Sequence, residues 1–340
     1  MKRLGELFAT LSLTLVAGAA MAAPNQVSYG SAGVIRLIED GQPPVVIHRT
    51  VQAAENAHAA KGSHGKPGGG GGGGTATNNL LYGGGVGGVG VETSPKIYLV
   101  IWGSQWSGND PSGEANLLTS FFGSIGGSSW FNSVTQYCQG VASGTEFCNG
   151  SGTAAGNPAG MFQGVWYDTA SSVPHRPRQS DIAAEAVRAA QHFGNTAAGS
   201  NDSADYVIAL PSGYSPQGFG TQYCAYHSYT SSSYGNVAYT NLPYITDAGS
   251  SCGAGFNGLG PNAGITMVSG HEVAEAASDQ FPSGGWLDAN GAENADKCAW
   301  ISSGQGASAN VTFPDGNTYA VQSLWSNAFN NGAGGCVMSY

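Results

Sequence analysis

The chain has 340 residues, 55 of them glycine, and carries 11 basic and 21 acidic side chains for a formal net charge of −10. Charged residues are 9 % of the total, against about 25 % in an average globular domain; hydrophobic residues reach 41 %, which excludes disorder throughout and leaves apolar surface for a sizeable core. From residue 90 onward 17 acidic residues stand against five basic ones, a balance that repels a phosphate backbone and excludes nucleic acid as a partner.

In chain order, Lys2 and Arg3 precede an apolar stretch over residues 7–20 and the small-residue sequence Ala20-Met21-Ala22. Charged start, apolar middle and small cleavage site mark a secretory signal peptide over 1–22, with no membrane span after its removal. Residues 23–67 read as a pro-segment, with a plain linker as the alternative: 34–38 and 45–48 flank Asp40-Gly41 as a hairpin, and an alanine-rich helical stretch follows. Residues 68–74 are seven consecutive glycines. They gain no packing energy and lose maximal backbone entropy on ordering, so 68–79 reads as a flexible linker and 80–340 as the main, catalytic domain.

Within that domain, residues 96–102 predict a buried strand and 114–122 a helix opened by Ser112. A strand at 165–167, a helix over 181–193 with Ser180 as N-cap and Gly194 as terminator, and a strand over 205–211 follow. This alternation predicts an α/β (α+β) class, a twisted sheet with helices packed on it. Residues 212–260 read as loop-rich. The six cysteines (Cys138, Cys148, Cys224, Cys252, Cys298, Cys336) suit an oxidising compartment and staple a loop-rich C-terminal part; fifteen pairings remain open, with sequential neighbours preferred. No two have the close spacing of a zinc knuckle.

The chemistry concentrates in His271-Glu272-Val273-Ala274-Glu275. On a helix, His271 and Glu275 at i, i+4 project from one face with Glu272 beside them, the way zinc hydrolases place metal ligands and general base on one rigid element. Glutamate stands where a second histidine is usual, so the extra carboxylate predicts a weaker Lewis acid. A third ligand comes from Glu293 or Asp296, at i, i+3 and both facing the metal if 286–298 is helical; one ligates and the other orients a ligand. Asp279 and His227 are accessory candidates. Zinc is the expected ion, with another divalent cation as the alternative. A solvated surface helix is the competing reading, opposed by the apolar neighbours Ile265, Val268, Val273, Ala274 and Ala277.

Two other patterns carry less. Gly249-Ser250-Ser251-Cys252-Gly253 fits a nucleophile elbow but lacks the strand before and the helix after. Gly85-Val86-Gly87-Gly88-Val89-Gly90 fits a dinucleotide fingerprint but precedes a strand instead of following one.

Four places in 80–340 resemble the EXORDIUM, or phosphate-induced protein, family of secreted plant cell-wall proteins and their bacterial relatives. They are residues 95–103; Cys224-Ala225-Tyr226-His227 with Leu242-Pro243-Tyr244 and Cys252; 271–275 with 293–298; and 321–326 before Cys336. The metal helix is also similar to that of zinc-dependent peptidases, and the element order resembles the zincin plan. The expectation is a secreted zinc-dependent metallopeptidase acting on extracellular protein or peptide, with Glu272 as base. The alternative is a non-catalytic wall- or glycan-binding protein whose Tyr and Trp residues stack on sugars.

Overall fold

The computed structural model describes residues 26–29, 35–39, 42–43, 45–62 and 78–340; the expected signal peptide and the glycine run lie outside them. A six-stranded mixed sheet organises the chain. Its strands are β1 (His48–Arg49), β2 (Lys96–Trp102), β3 (Phe162–Asp168), β4 (Ala204–Ala209), β5 (Tyr223–Ser232) and β6 (Gly235–Leu242), in spatial order β1-β5-β6-β4-β2-β3. The β6, β4, β2 and β3 pairings are parallel, and β5 runs antiparallel to both β6 and β1.

The period-two alternation of a strand decides which helix covers which face. Ile97, Leu99 and Ile101 of β2 and Val207 and Ala209 of β4 enter one core with α2 (Glu114–Ile125) and α4 (Ala263–Ser278). Tyr98, Val100 and Trp102 enter the opposite core with Tyr206, Ile208 and the small face of α3 (Gln179–His192), formed by Ala183, Ala186, Ala189 and Ala190. The chain is therefore a mixed α/β protein, helices on both faces of one sheet.

α4 is buried along its whole length, pressed between α2, β5 and a C-terminal hairpin of β7 (Ala309–Thr312) and β8 (Thr318–Val321). Two glycines permit this. A methyl group at Gly264 would lie 1.9 Å from the Cys252 carbonyl oxygen, and one at Gly270 would lie 3.1 Å from the rings of both Phe121 and Trp130. Neither space admits a side chain without movement of its neighbours.

Disulfides join Cys138 to Cys148, Cys224 to Cys252 and Cys298 to Cys336. These are the sequential pairs, and they fit an oxidising compartment. Among the described residues no helix is long and apolar enough to cross a membrane.

Several local expectations change. Residues 212–260 contain the two longest strands of the sheet, β5 and β6, joined by a tight turn. Their buried runs, 223–228 and 237–242, interleave Tyr, Ser, Thr, His and Asn with Cys, Ala, Val and Leu, so hydrophobic alternation is weak, although tyrosine and threonine favour strands. The start of α2 is capped by the Asp110 carboxylate, which accepts from the Glu114 and Ala115 N–H groups, while Ser112 bonds Tyr244. α3 begins at Gln179; the backbone N–H groups of Gln179 and Ser180 donate to the Glu39 carboxylate, so the cap comes from another segment. The expected hairpin forms, Ile35–Ile38 pairing with Val45–Val46, and α1 (Val51–Gly62) is the alanine-rich helix.

Candidate metal centre

His271, Glu272 and Glu275 lie on the buried α4 and face the antiparallel strand β5. The tautomer of His271 follows from its neighbour. Gln322 donates from Nε2 to the Ala295 carbonyl (2.8 Å), which turns its Oε1 toward His271 Nδ1 at 3.1 Å. In the neutral ring Nδ1 then carries the hydrogen, and the Nε2 lone pair points into the site.

His271 Nε2 lies 3.0 Å from a Glu275 oxygen and 3.8 Å from Asp296 Oδ1, yet makes no hydrogen bond. The three donor atoms lie within 4.8 Å of one another. Ligands about 2.1 Å from a tetrahedral zinc are roughly 3.4 Å apart, so the spacing accommodates one ion. Asp296 sits on the short 3-10 turn Asp296–Cys298, and its backbone N–H donates to Glu275 Oε1 at 2.9 Å. Cys298, two residues on, anchors this turn through its disulfide to Cys336.

The stretch 286–298 is not an α-helix. Trp286–Leu287 is a short strand, and a turn closed by Asp288 follows. Glu293 and Asp296 consequently do not share a face: Asp296 joins His271 and Glu275, whereas Glu293 lies 3.4 Å from His227 Nε2. Asp279 is not among the grouped donors either. Its carboxylate accepts from the backbone N–H groups of Ser283, Gly284 and Gly285, and its carbonyl faces His227 Nε2 at 3.2 Å.

His227, on β5, thus has Nε2 engaged by the Asp279 carbonyl and flanked by Glu293. Its Nδ1 has no hydrogen bond and lies 3.6 Å from both Glu272 and Glu275. Both oxygens of Glu272 are buried without a hydrogen bond. Ser251 of the elbow-like pattern lies on an irregular 3-10 segment, and Gly87 and Gly88 form a turn between bridged Val86 and Val89; neither enters the centre.

Two contributors escape the sequence reading. Gln322 lies within one of the quoted motifs without a role assigned. His48, in the expected hairpin, stacks on His271 with ring centroids 3.6 Å apart and lies 4.0 Å from Glu272.

Electrostatics show what the centre lacks. Burial pushes Glu272 above the ordinary carboxylate range, and burial with Glu275 nearby raises Asp296 to about 7. Burial opposes protonation of His271, but Glu275, Glu272 and Asp296 outweigh it and raise the imidazole to about 9. Burial likewise opposes ionisation of Glu275, which His271 and His227 nonetheless hold down at about 2. Burial lifts Glu293 and Glu92 well above the usual range and Asp205 to about 7. Such a concentration of buried carboxylates is stable only with protons or a cation among them. The donor set of imidazole nitrogen and carboxylate oxygen fits a divalent metal ion. No family model, curated protein or solved structure matches the chain.

Proposed function

We propose that the chain is a secreted metal-dependent hydrolase, a zincin-like peptidase in which His271, Glu275 and Asp296 hold zinc. The observation that carries this is the unbonded His271 Nε2, fixed by Gln322 and placed beside two carboxylates, with the unpartnered Glu272 next to it. A zinc ion bound there supplies Lewis acidity, polarising a scissile carbonyl and easing deprotonation of water. Glu272 takes the proton. Its burial raises its proton affinity toward what a general base needs near neutral pH, and it delivers the proton to the leaving amine. His227, with Nε2 at the Asp279 carbonyl, lies 3.6 Å from Glu272 through Nδ1 and, when protonated, offsets its charge.

A distant relation to the EXORDIUM proteins is part of the same proposal. Supporting it, three of the four resembling segments meet at the centre: β5 brings His227, α4 and the 293–298 turn bring the acidic ligands, and 321–326 brings Gln322. The glycan-binding alternative has less behind it. The large hydrophobic side chains left exposed among the described residues are Phe147, Tyr167 and Tyr340, one each in a loop, on β3 and at the C-terminus.

Elemental analysis of the purified secreted protein tests the reading, with one zinc per chain expected. In protein freed of the segment ahead of the main domain, Glu272→Gln should abolish casein hydrolysis with metal retained, and His271→Ala should lose the metal. Full hydrolysis by the Gln variant refutes the base assignment, and protein that binds no stoichiometric metal and cleaves nothing returns the chain to the binding reading.

A further inference from the structure

The strand at the edge of the sheet beside the metal centre comes from the segment ahead of the main domain. β1 lies antiparallel on β5, with Arg49 opposite Tyr223 and His48 opposite Ala225, two residues before His227. The segment is held at several points. Val45 and Ile47 are buried against Tyr223, Tyr226 and Tyr239, the Pro43 carbonyl accepts from Gln179 Nε2 at 3.0 Å, and the Arg49 carbonyl accepts from Trp300 Nε1 at 2.8 Å. His48 itself enters the centre between His271 and Trp300, whose ring centroids lie 3.6 and 5.0 Å away. It is 1 % exposed and neither ring nitrogen has a hydrogen bond. Its donor atom lies within 4.8 Å of those of His271 and Glu272.

A buried imidazole without a polar partner costs stability unless something satisfies it. Here the group within reach is the metal centre. The backbone on either side of it supplies what an extended polypeptide needs: a sheet edge for main-chain pairing and apolar pockets for alternate side chains.

We infer that the β5 edge at Tyr223–Ala225 is a peptide-binding site for an extended polypeptide laid antiparallel to it, and that residues 45–50 are its built-in occupant, with His48 covering the metal centre. The inference rests on the hydrolase reading and names how that site takes its substrate. A substrate strand must displace residues 45–50, so the chain as synthesised is self-blocked. Separation of the segment from the main domain is the step that opens the site.

The test uses the full chain with a site-specific protease sequence replacing residues 68–74. The folded protein is cut, and exchange of a fluorescent synthetic peptide spanning residues 43–51 is followed by anisotropy. Cutting in a Val45→Asp background, which weakens the resident segment, keeps slow release from hiding exchange. The peptide should bind the cut protein, and a His48→Ala peptide should bind more weakly, with a deficit about tenfold larger with zinc present than after chelation, when only the lost ring stacking remains. Absence of peptide binding by cut, folded protein, or equal binding of a scrambled peptide, overturns the peptide site. Equal binding of the parent and Ala peptides with zinc bound, as measured by elemental analysis of the same sample, overturns the placement of His48 over the centre. Zinc absent from that sample refutes the hydrolase reading, whereas discrimination against the scrambled peptide still reports on the edge.

Discussion

Replacing Gln322 by leucine tests whether the centre is built around one histidine tautomer. Gln322 is wholly buried, and leucine fills nearly the same volume, so the change removes polar contacts with little cavity. Two contacts go. Loss of the Oε1 acceptor, 3.1 Å from His271 Nδ1, leaves the ring free to place its hydrogen on Nε2, and such supporting bonds are worth about 10- to 100-fold in metal affinity, or about 1.4 to 2.8 kcal/mol. Loss of the Nε2 donor takes one hydrogen bond from the Ala295 carbonyl, which still accepts from the Cys298 N–H at 2.9 Å, costing about 0.5–1.5 kcal/mol of stability whether or not metal is bound. Gln322→Glu separates the two, because it keeps an acceptor for Nδ1–H while losing the donor to Ala295. The backbone should hold in both variants, since the Gln322 carbonyl accepts from Trp130 Nε1 at 2.7 Å. Competition with a chromophoric chelator should show zinc binding weakened 10- to 100-fold in the Leu variant and retained in the Glu variant, with melting temperature lowered in both. Zinc affinity unchanged in the Leu variant, or falling equally in both, would refute the tautomer argument.

The division between the two downstream carboxylates is separable in the same assay: Asp296→Asn should lose zinc and Glu293→Gln should keep it, and the reverse pattern would exchange their roles. Changing Cys298 and Cys336 together to alanine opens a crosslink spanning 38 residues, worth about 4 kcal/mol by chain entropy; calorimetry should show the lower stability, and zinc content should fall with it because the Asp296 turn loses its anchor. The pH response of the metal-free protein has a fixed sign. Burial raises Asp205 and Asp296 to about 7 and Asp279 to about 6, so the folded chain keeps protons that the unfolded chain releases near pH 4, and stability falls as pH climbs from 4 through 7. His271, raised to about 9 by its carboxylates against the effect of burial, contributes stability below pH 6.5 that is lost as pH rises through 9, in the same direction. Chelator-treated protein should therefore melt progressively lower from pH 5 to 9 while zinc-loaded protein stays nearly level, and parallel curves would show that no cation offsets these charges.

How far the sequence could be read depended on where each side chain's partner lay along the chain. α4 was legible because its signal is local: an apolar, alanine-rich run holds His271, Glu272 and Glu275 within two turns, and burial of that run forces the charged groups to find partners. β2, β4 and α3 were legible for the same reason, although their ends were set from a distance, as Glu39 does for α3. β5 and β6 were not legible, because their buried runs interleave Tyr, Ser, Thr, His and Asn with small and apolar residues on both faces, burial that comes from tertiary packing and leaves no local alternation to read. The misread turn at 293–298 has a similar origin. Spacing of three implied a shared helical face, but Glu293 and Asp296 are directed by two different histidines on two different elements.

His48 carries the same lesson furthest. Nothing near it in the sequence distinguishes it from a surface histidine of a short hairpin, and its burial depends on a strand pairing with residues about 175 positions away. The route by which it reaches α4 is the edge of the antiparallel strand, and β1 is what covers that edge. On the proposed reading, a chain that supplies that strand itself, with an imidazole at the position nearest Glu272, joins the stability of its fold to the blocking of its own site. The contacts that make residues 45–50 a good edge strand are then the contacts a substrate must compete for, so substitutions that loosen Val45 or Ile47 should destabilise the sheet edge and open the centre together.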